Sequence, residues 1–163
     1  MVVWSGKHAA RFIEQPPSIK IQPAGVDVGV SEVWRISSGA VATLDGETRK
    51  VVPSKQLVKP GLDGFYSLRR GVYEVRLANK ITVPSDAAVF VHPRSTLNRL
   101  GMLKSETGVW DPGYSGYGTQ TVYVPISLYR IHVGEMWFQV VFMDAEAVGE
   151  AYRGHWQGEK PVR

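Results

Sequence analysis

Apolar residues in this chain come in short runs of five to nine, each closed by glycine, proline, aspartate or serine. Runs rich in Val, Ile, Tyr, Phe and Trp with such borders are the signature of many short strands. The pattern predicts strands over "VDVGV" (26–30), "EVWRI" (32–36), "AVATL" (40–44), "FYSLR" (65–69), "VYEVRL" (72–77), "AAVFVH" (87–92), "TVYVPIS" (121–127) and "EMWFQVVFM" (135–143). Turn chemistry separates them at "DGE" (45–47), "KPGLDG" (59–64), "PSD" (84–86) and "HVG" (132–134). Helical signal is sparse. Ser5 is placed to cap a short helix over "GKHAARFIE", stopped by Pro16-Pro17, and "STLNRLGML" (95–103) has helical spacing that ends near Gly101. The expected fold class is all-β, a barrel or sandwich with one or two short helices.

Composition narrows the function classes. A chain of 163 residues with 44% hydrophobic and 21% charged residues suits one globular domain. No apolar stretch approaches the roughly 18 residues of a membrane span, and the N-terminus lacks a signal-peptide core, so a cytoplasmic protein is expected. Cysteine is absent, which removes disulfides, thiolate nucleophiles and cysteine-bound zinc. The four histidines are scattered without metal-ligand spacing. A net charge of +4 and a pI near 9.4 suit an anionic ligand, but the basic residues are too dispersed for a nucleic-acid groove.

The segment from His92 to Gly118 concentrates chemistry. Arg94, Ser95 and Thr96 offer a bidentate cation beside two hydroxyl donors, a good set for phosphate oxygens. "KSETGVWDPGY" alternates turn and β residues as a hairpin would, and hairpin backbone can read the edge of a base. Asp111, between Trp110 and Pro112, is a carboxylate that could orient and deprotonate water, and Tyr114 could stack on a sugar. The plainer alternatives are a simple Asp-Pro-Gly turn and an Arg94 that only neutralises Asp111. Gln139, inside an apolar strand, must find partners in backbone, ligand or a neighbouring subunit.

Taken together, these segments resemble the superfamily of trimeric dUTPases and dCTP deaminases. "AGVDVGV" (24–30) is similar to its first motif, with Asp27 in the acidic place; "PRSTL" (93–97) to its phosphate-holding Pro-Arg-Ser motif; "TGVWDPGYSG" (107–116) to the nucleoside hairpin with the catalytic Asp; and "VGEMWFQVVF" (133–142) to the motif that carries the Gln. The ending "YRGHWQGEKPV" departs from the Gly-rich, Phe-containing fifth motif of ordinary dUTPases. The resemblance implies a distorted jelly-roll-like β-barrel over residues 1–150, a tail over 151–163 as candidate lid, and a homotrimer with shared active sites. It implies no nucleic-acid or membrane partner.

The deaminases place a glutamate ten residues beyond the Asp, where this chain has Thr121. The short N-terminal helix, the "DPGYSG" turn and Arg99 in "RSTLNRLG" point towards the deaminase branch, whereas Thr121 points towards dUTPase. The expected activity is therefore that of an archaeal-type dUTPase within the dCTP deaminase branch, releasing pyrophosphate from dUTP with Mg²⁺ held mainly by the substrate phosphates. Asp111 would activate water; Arg94, Ser95 and Thr96 would hold phosphates; Ser105 to Gly108 would present backbone to uracil; Tyr114 would pack beneath the deoxyribose. Arg153, Trp156 and Gln157 of the tail would close over the nucleotide, and Asp27, Arg99 and Gln139 would support the site. The alternatives are a dCTP deaminase, alone or bifunctional, and a non-catalytic deoxynucleotide-binding domain.

Overall fold

The computed structural model describes residues 2–45, 48–50, 54–106, 108–146, 150–154 and 156–160, with backbone alone at 44, 45 and 48–50. Along the chain run α1 (Gly6–Ala9), a 3₁₀ turn (Ala10–Phe12), β1 (Lys20–Gln22), β2 (Gly25–Val28), β3 (Val30–Ile36), β4 (Thr43–Asp45), β5 (Thr48–Lys50) and β6 (Lys55–Leu57). There follow β7 (Phe65–Leu77), β8 (Ile81–Thr82), β9 (Ala87–Pro93), α2 (Ser95–Arg99), β10 (Leu103–Lys104), β11 (Ser115–Gly116), β12 (Thr119–His132) and β13 (Phe138–Asp144).

The protein is all-β and jelly-roll-like. Among the described residues hydrogen bonding does not close it into a barrel: a four-stranded sheet ordered β1-β2-β13-β9 and a five-stranded sheet ordered β10-β12-β7-β3-β6 remain separate, with two small ladders, β11-β8 and β4-β5. Both large sheets turn their apolar faces into one core. Val33, Val75 and Val122 enter it from one side and Val89, Phe138 and Phe142 from the other. Among the described residues no helix is long and apolar enough to cross a membrane.

Local chemistry sets the element ends. The Ser5 hydroxyl accepts from the His8 amide at 3.3 Å and caps α1 as its sequence predicts. Helical conformation stops at Phe12, ahead of Pro16-Pro17, because Ile13 turns extended and bridges Ile81. The two strands expected over 65–69 and 72–77 are one strand, β7, since Arg70-Gly71 stays extended and Gly71 pairs with Val124. The 45–47 turn falls largely outside the described residues.

Candidate functional site

The segment expected as a hairpin is instead pinned piecewise. Lys104 pairs with Val122, Trp110 exchanges two backbone hydrogen bonds with Val89 (2.9 and 3.1 Å), and Ser115 pairs with Thr82. Between these anchors the Tyr114 amide reaches the Asp111 carbonyl at 3.1 Å, forming the Asp-Pro-Gly turn. Gly113 (φ +86°) allows the tail to approach: a Cβ there would lie 2.6 Å from that of Ala151. Gly118 (φ +56°) leaves room for the Trp110 ring, which a Cβ would meet at 2.4 Å.

The turn lines a cleft of about 300 Å³ that brings together Gly108, Asp111, Tyr114, Tyr152, Trp156 and Glu159. Asp111 is exposed. Tyr114 is buried, with its ring 4.9 Å from Trp110 and 5.7 Å from Tyr152, and its hydroxyl bonded to Gly118 backbone. Burial, helped by the charge of Glu159, pushes the Tyr114 pKa up, so the phenol is neutral at any ordinary pH. Burial likewise raises the Glu159 carboxyl above its usual value, against the opposing pull of Arg76.

A second cleft, about 660 Å³, gathers Gln22, Asp27, Arg94, Ser95, Lys104 and Gln139. Register explains the convergence: Gln139 of β13 is the direct cross-strand partner of Asp27 on β2, so both project from one face. Asp27 is buried and accepts from Gln22 Nε2 at 2.7 Å and Arg94 Nε at 3.0 Å. Arg94 Nη1 also donates to the Met136 carbonyl at 3.2 Å, which fixes the guanidinium plane. The partner of Arg94 is thus Asp27, not Asp111. Lys104 is half-buried, and desolvation lowers its pKa while Glu106 pulls it back up.

The sequence-derived residues therefore divide into two groups, Gly108, Asp111, Tyr114 and Trp156 in one cleft and Asp27, Arg94, Ser95 and Gln139 in the other. Thr96, Arg99 and Arg153 are exposed and line neither. Ser105 turns both its amide and its hydroxyl to the Thr121 carbonyl (3.1 and 3.2 Å). Gln157 grips the Asp111 turn: Oε1 accepts from Ser115 N, and Nε2 donates to Gly113 O, each at 2.9 Å. Sequence reasoning missed Gln22, Lys104, Tyr152 and Glu159. The crowding of Lys104 with Arg94 in one loop was a usable signal; no local pattern marks Glu159. Thr121 pairs with Glu74 on β7, so a carboxylate does stand on that row, ion-paired to Lys55 at 2.6 Å. Among the described residues no group of three His, Cys, Asp or Glu side chains could hold a metal ion.

The family model described as dCTP deaminase-like matches residues 6–145. The deoxyuridine 5′-triphosphate nucleotidohydrolase of Methanocaldococcus jannaschii is 32% identical over 150 residues, covering 90% of this chain and 93% of that one. A probable deoxyuridine 5′-triphosphate nucleotidohydrolase of Aeropyrum pernix is 36% identical over 142 residues, covering 85% and 86%. Among solved structures, the 2′-deoxycytidine 5′-triphosphate deaminase of Agrobacterium tumefaciens matches with a TM-score of 0.64 at 15% identity. That match covers 86% of this chain and spans 46% of the deaminase's length; it is a likeness of fold.

Proposed function

Because this chain belongs to the dCTP deaminase-like family, we propose that it is a cytoplasmic dUTP diphosphatase, converting dUTP and water to dUMP and pyrophosphate. The observation that carries the reading is near-full-length identity of 32% and 36% to two archaeal deoxyuridine 5′-triphosphate nucleotidohydrolases. The site agrees with it: Asp111 stands in an aromatic-walled cleft that Gly108 and Val109 also line. Asp111 accepts a proton from water as the water oxygen attacks the α-phosphorus. The bond to the α–β bridging oxygen breaks, and pyrophosphate leaves. Tyr114 and Trp156 flank the nucleoside, while Arg94, Ser95 and Lys104 take phosphate oxygens. Mg²⁺, if bound, would be held mainly by the triphosphate's own oxygens and would supply charge withdrawal from the leaving pyrophosphate.

The two clefts are halves of different sites, joined when three chains assemble. Supporting this, Leu103, Tyr123 and Val72 form one cross-strand row on the five-stranded sheet, and all three are exposed, as are neighbouring Leu100 and Ile126. Light scattering tests the trimer; an active monomer near 18 kDa would refute it.

The activity test offers dUTP and dCTP side by side, reading pyrophosphate and ammonia. Pyrophosphate from dUTP with no ammonia from dCTP supports the reading. Ammonia at a comparable rate would favour deamination, with Glu74 opposite Thr121 as the carboxylate to examine. Binding without turnover would leave a non-catalytic nucleotide-binding domain.

A further inference from the structure

Gln22 lines the Arg94 cleft without a role in the proposed reaction. It closes β1 directly before the turn Pro23-Ala24, and its cross-strand partner on β2 is Gly25. Lys20 stands opposite Asp27 on the same ladder, so Gln22 and Asp27 lie diagonally on one face. Gly25 puts no side chain between them, and a Cβ there would lie 3.1 Å from Gln139 Cγ. Across that gap Gln22 Nε2 donates to Asp27 Oδ2 at 2.7 Å, at the short end for an N–H donor. The turn is braced from outside by α1. The Gly6 amide donates to Pro23 O at 3.2 Å, and a Cβ on Gly6 would lie 2.0 Å from Gln22 O.

Asp27 links Gln22 to the cation of the cleft. Its side chain is only 3% exposed, and the same Oδ2 that receives the amide stands 3.0 Å from Arg94 Nε. Arg94 is also tied to the sheet through Nη1, which donates to the Met136 carbonyl, yet its side chain is 23% exposed. Arginine carries five N–H donors in a rigid fork, so a guanidinium held at those two atoms keeps donors for ligand oxygens. A nearly buried carboxylate that loses a hydrogen-bond donor still bears its desolvation cost, and it recovers a donor from whatever stands nearest. Here that is Arg94. Without the Gln22 amide, Asp27 would draw the guanidinium inward and away from the cleft.

We propose that Gln22 is a positioning residue for phosphate binding: by supplying Asp27 with a neutral donor, it lets Arg94 present its fork to phosphate oxygens instead of turning it to Asp27. Gln22 acts without touching the ligand. The N-terminal hairpin, braced by α1, thereby sets the affinity of a cation that follows β9. Identifying those oxygens with the triphosphate of dUTP rests on the dUTP diphosphatase reading; the linkage among Gln22, Asp27 and Arg94 does not.

The experiment is a double-mutant cycle on the intact chain, reading dUTP kinetics and calorimetric binding of inorganic tripolyphosphate, with melting temperature as the check on folding. Gln22→Met, close in size but without a donor, should raise KM for dUTP and Kd for tripolyphosphate about tenfold, the scale of one hydrogen bond to a charged group, with kcat within about twofold. In an Asp27→Asn background the same change should weaken binding by less than about threefold, because the carboxylate through which Gln22 acts is gone. If Asp27→Asn does not fold, Arg94→Gln is the second background, and the same near-silence is expected there. Unchanged KM and Kd in Gln22→Met would overturn the proposal. So would equal losses in both backgrounds, which would mean that Gln22 meets the phosphates itself, or a fall in kcat with KM unchanged. If the wild type binds tripolyphosphate but does not turn over dUTP, the activity reading falls and calorimetry alone decides the linkage. Wild-type protein that binds neither would overturn both.

Discussion

The two clefts are built by opposite means. The one holding Arg94 is a product of regular sheet: Asp27 and Gln139 sit in register on adjacent strands, and Arg94 follows directly after β9. The one holding Asp111 is assembled from a turn and a tail that regular structure does not reach, held by point contacts to Val89, Val83, Tyr152, Gln157, Gly158 and Glu159. Their chemistry differs in the same sense. Arg94 and Lys104 bring cations into the first cleft beside the carboxylates of Asp27 and Glu106, while the lining of the second holds Asp111 and Glu159 and no Lys or Arg. On the proposed reading the triphosphate would meet the sheet-built cleft, whose side chains are rigidly positioned, and the nucleoside the loop-built one, which encloses it better.

Removing the one group assigned to bond breaking tests this division most severely. Asp111→Asn should lower kcat by about 10²–10⁴-fold, the usual worth of a positioned base, while dUTP binding by calorimetry changes little. A residual rate above about a tenth of wild type would remove Asp111 from that role. Next in size is Arg94→Gln, which keeps a donor for Asp27 but loses the charge; KM should rise by about 10²-fold, the scale of a lost charge-assisted contact. If the clefts serve one site from different chains, mixing Arg94→Gln with Asp111→Asn protein should recover part of the wild-type rate. No recovery would place both clefts in the service of one chain.

Lys104→Met is expected to raise KM about tenfold with kcat nearly unchanged, and to flatten the salt dependence of KM. Lys104→Arg should retain binding. An unchanged KM would make Lys104 a solvated strand residue only. The smallest effect concerns pH. Docking raises the Glu159 pKa because burial outweighs Arg76, with Glu74 adding to the rise and Lys55 opposing it. The docked tail therefore binds that proton more tightly than the free tail. Its contribution is complete below the ordinary carboxylate pKa and is lost as pH rises through the raised value. Trypsin cleavage after Arg153 should accelerate a few-fold across that interval, scaling with the open population, and stay flat in Glu159→Gln.

Legibility from sequence followed the same line between sheet and loop. Strands β9, β12 and β13 were readable because inward and outward positions alternate along them. Strands β1 and β6 were not, since two of three residues in one and all three in the other are exposed. Pro125 did not end β12: the register shift between Val124 and Leu128 takes it out of the ladder, where a missing amide does no harm. In the site, Asp111, Arg94 and Gln139 announced themselves through motif chemistry. Their supports did not, because Arg76 and Glu159 lie 83 positions apart and meet only through the folded sheet. Glu74 is hidden from the sequence in the same way, since it meets Thr121 only across the β7–β12 ladder.

The anchoring of the tail by a strand so far upstream has a consequence for how the molecule is made. Synthesis proceeds from the N-terminus, and segments that emerge first can organise first. Every strand of both large sheets ends at or before Asp144, so the sheets can assemble before Glu159 has been joined to the chain. A product whose translation stopped just after that point would contain every strand of both large sheets but lack Tyr152, Trp156 and Glu159. Its Asp111 cleft would stand open on the side that those three residues wall.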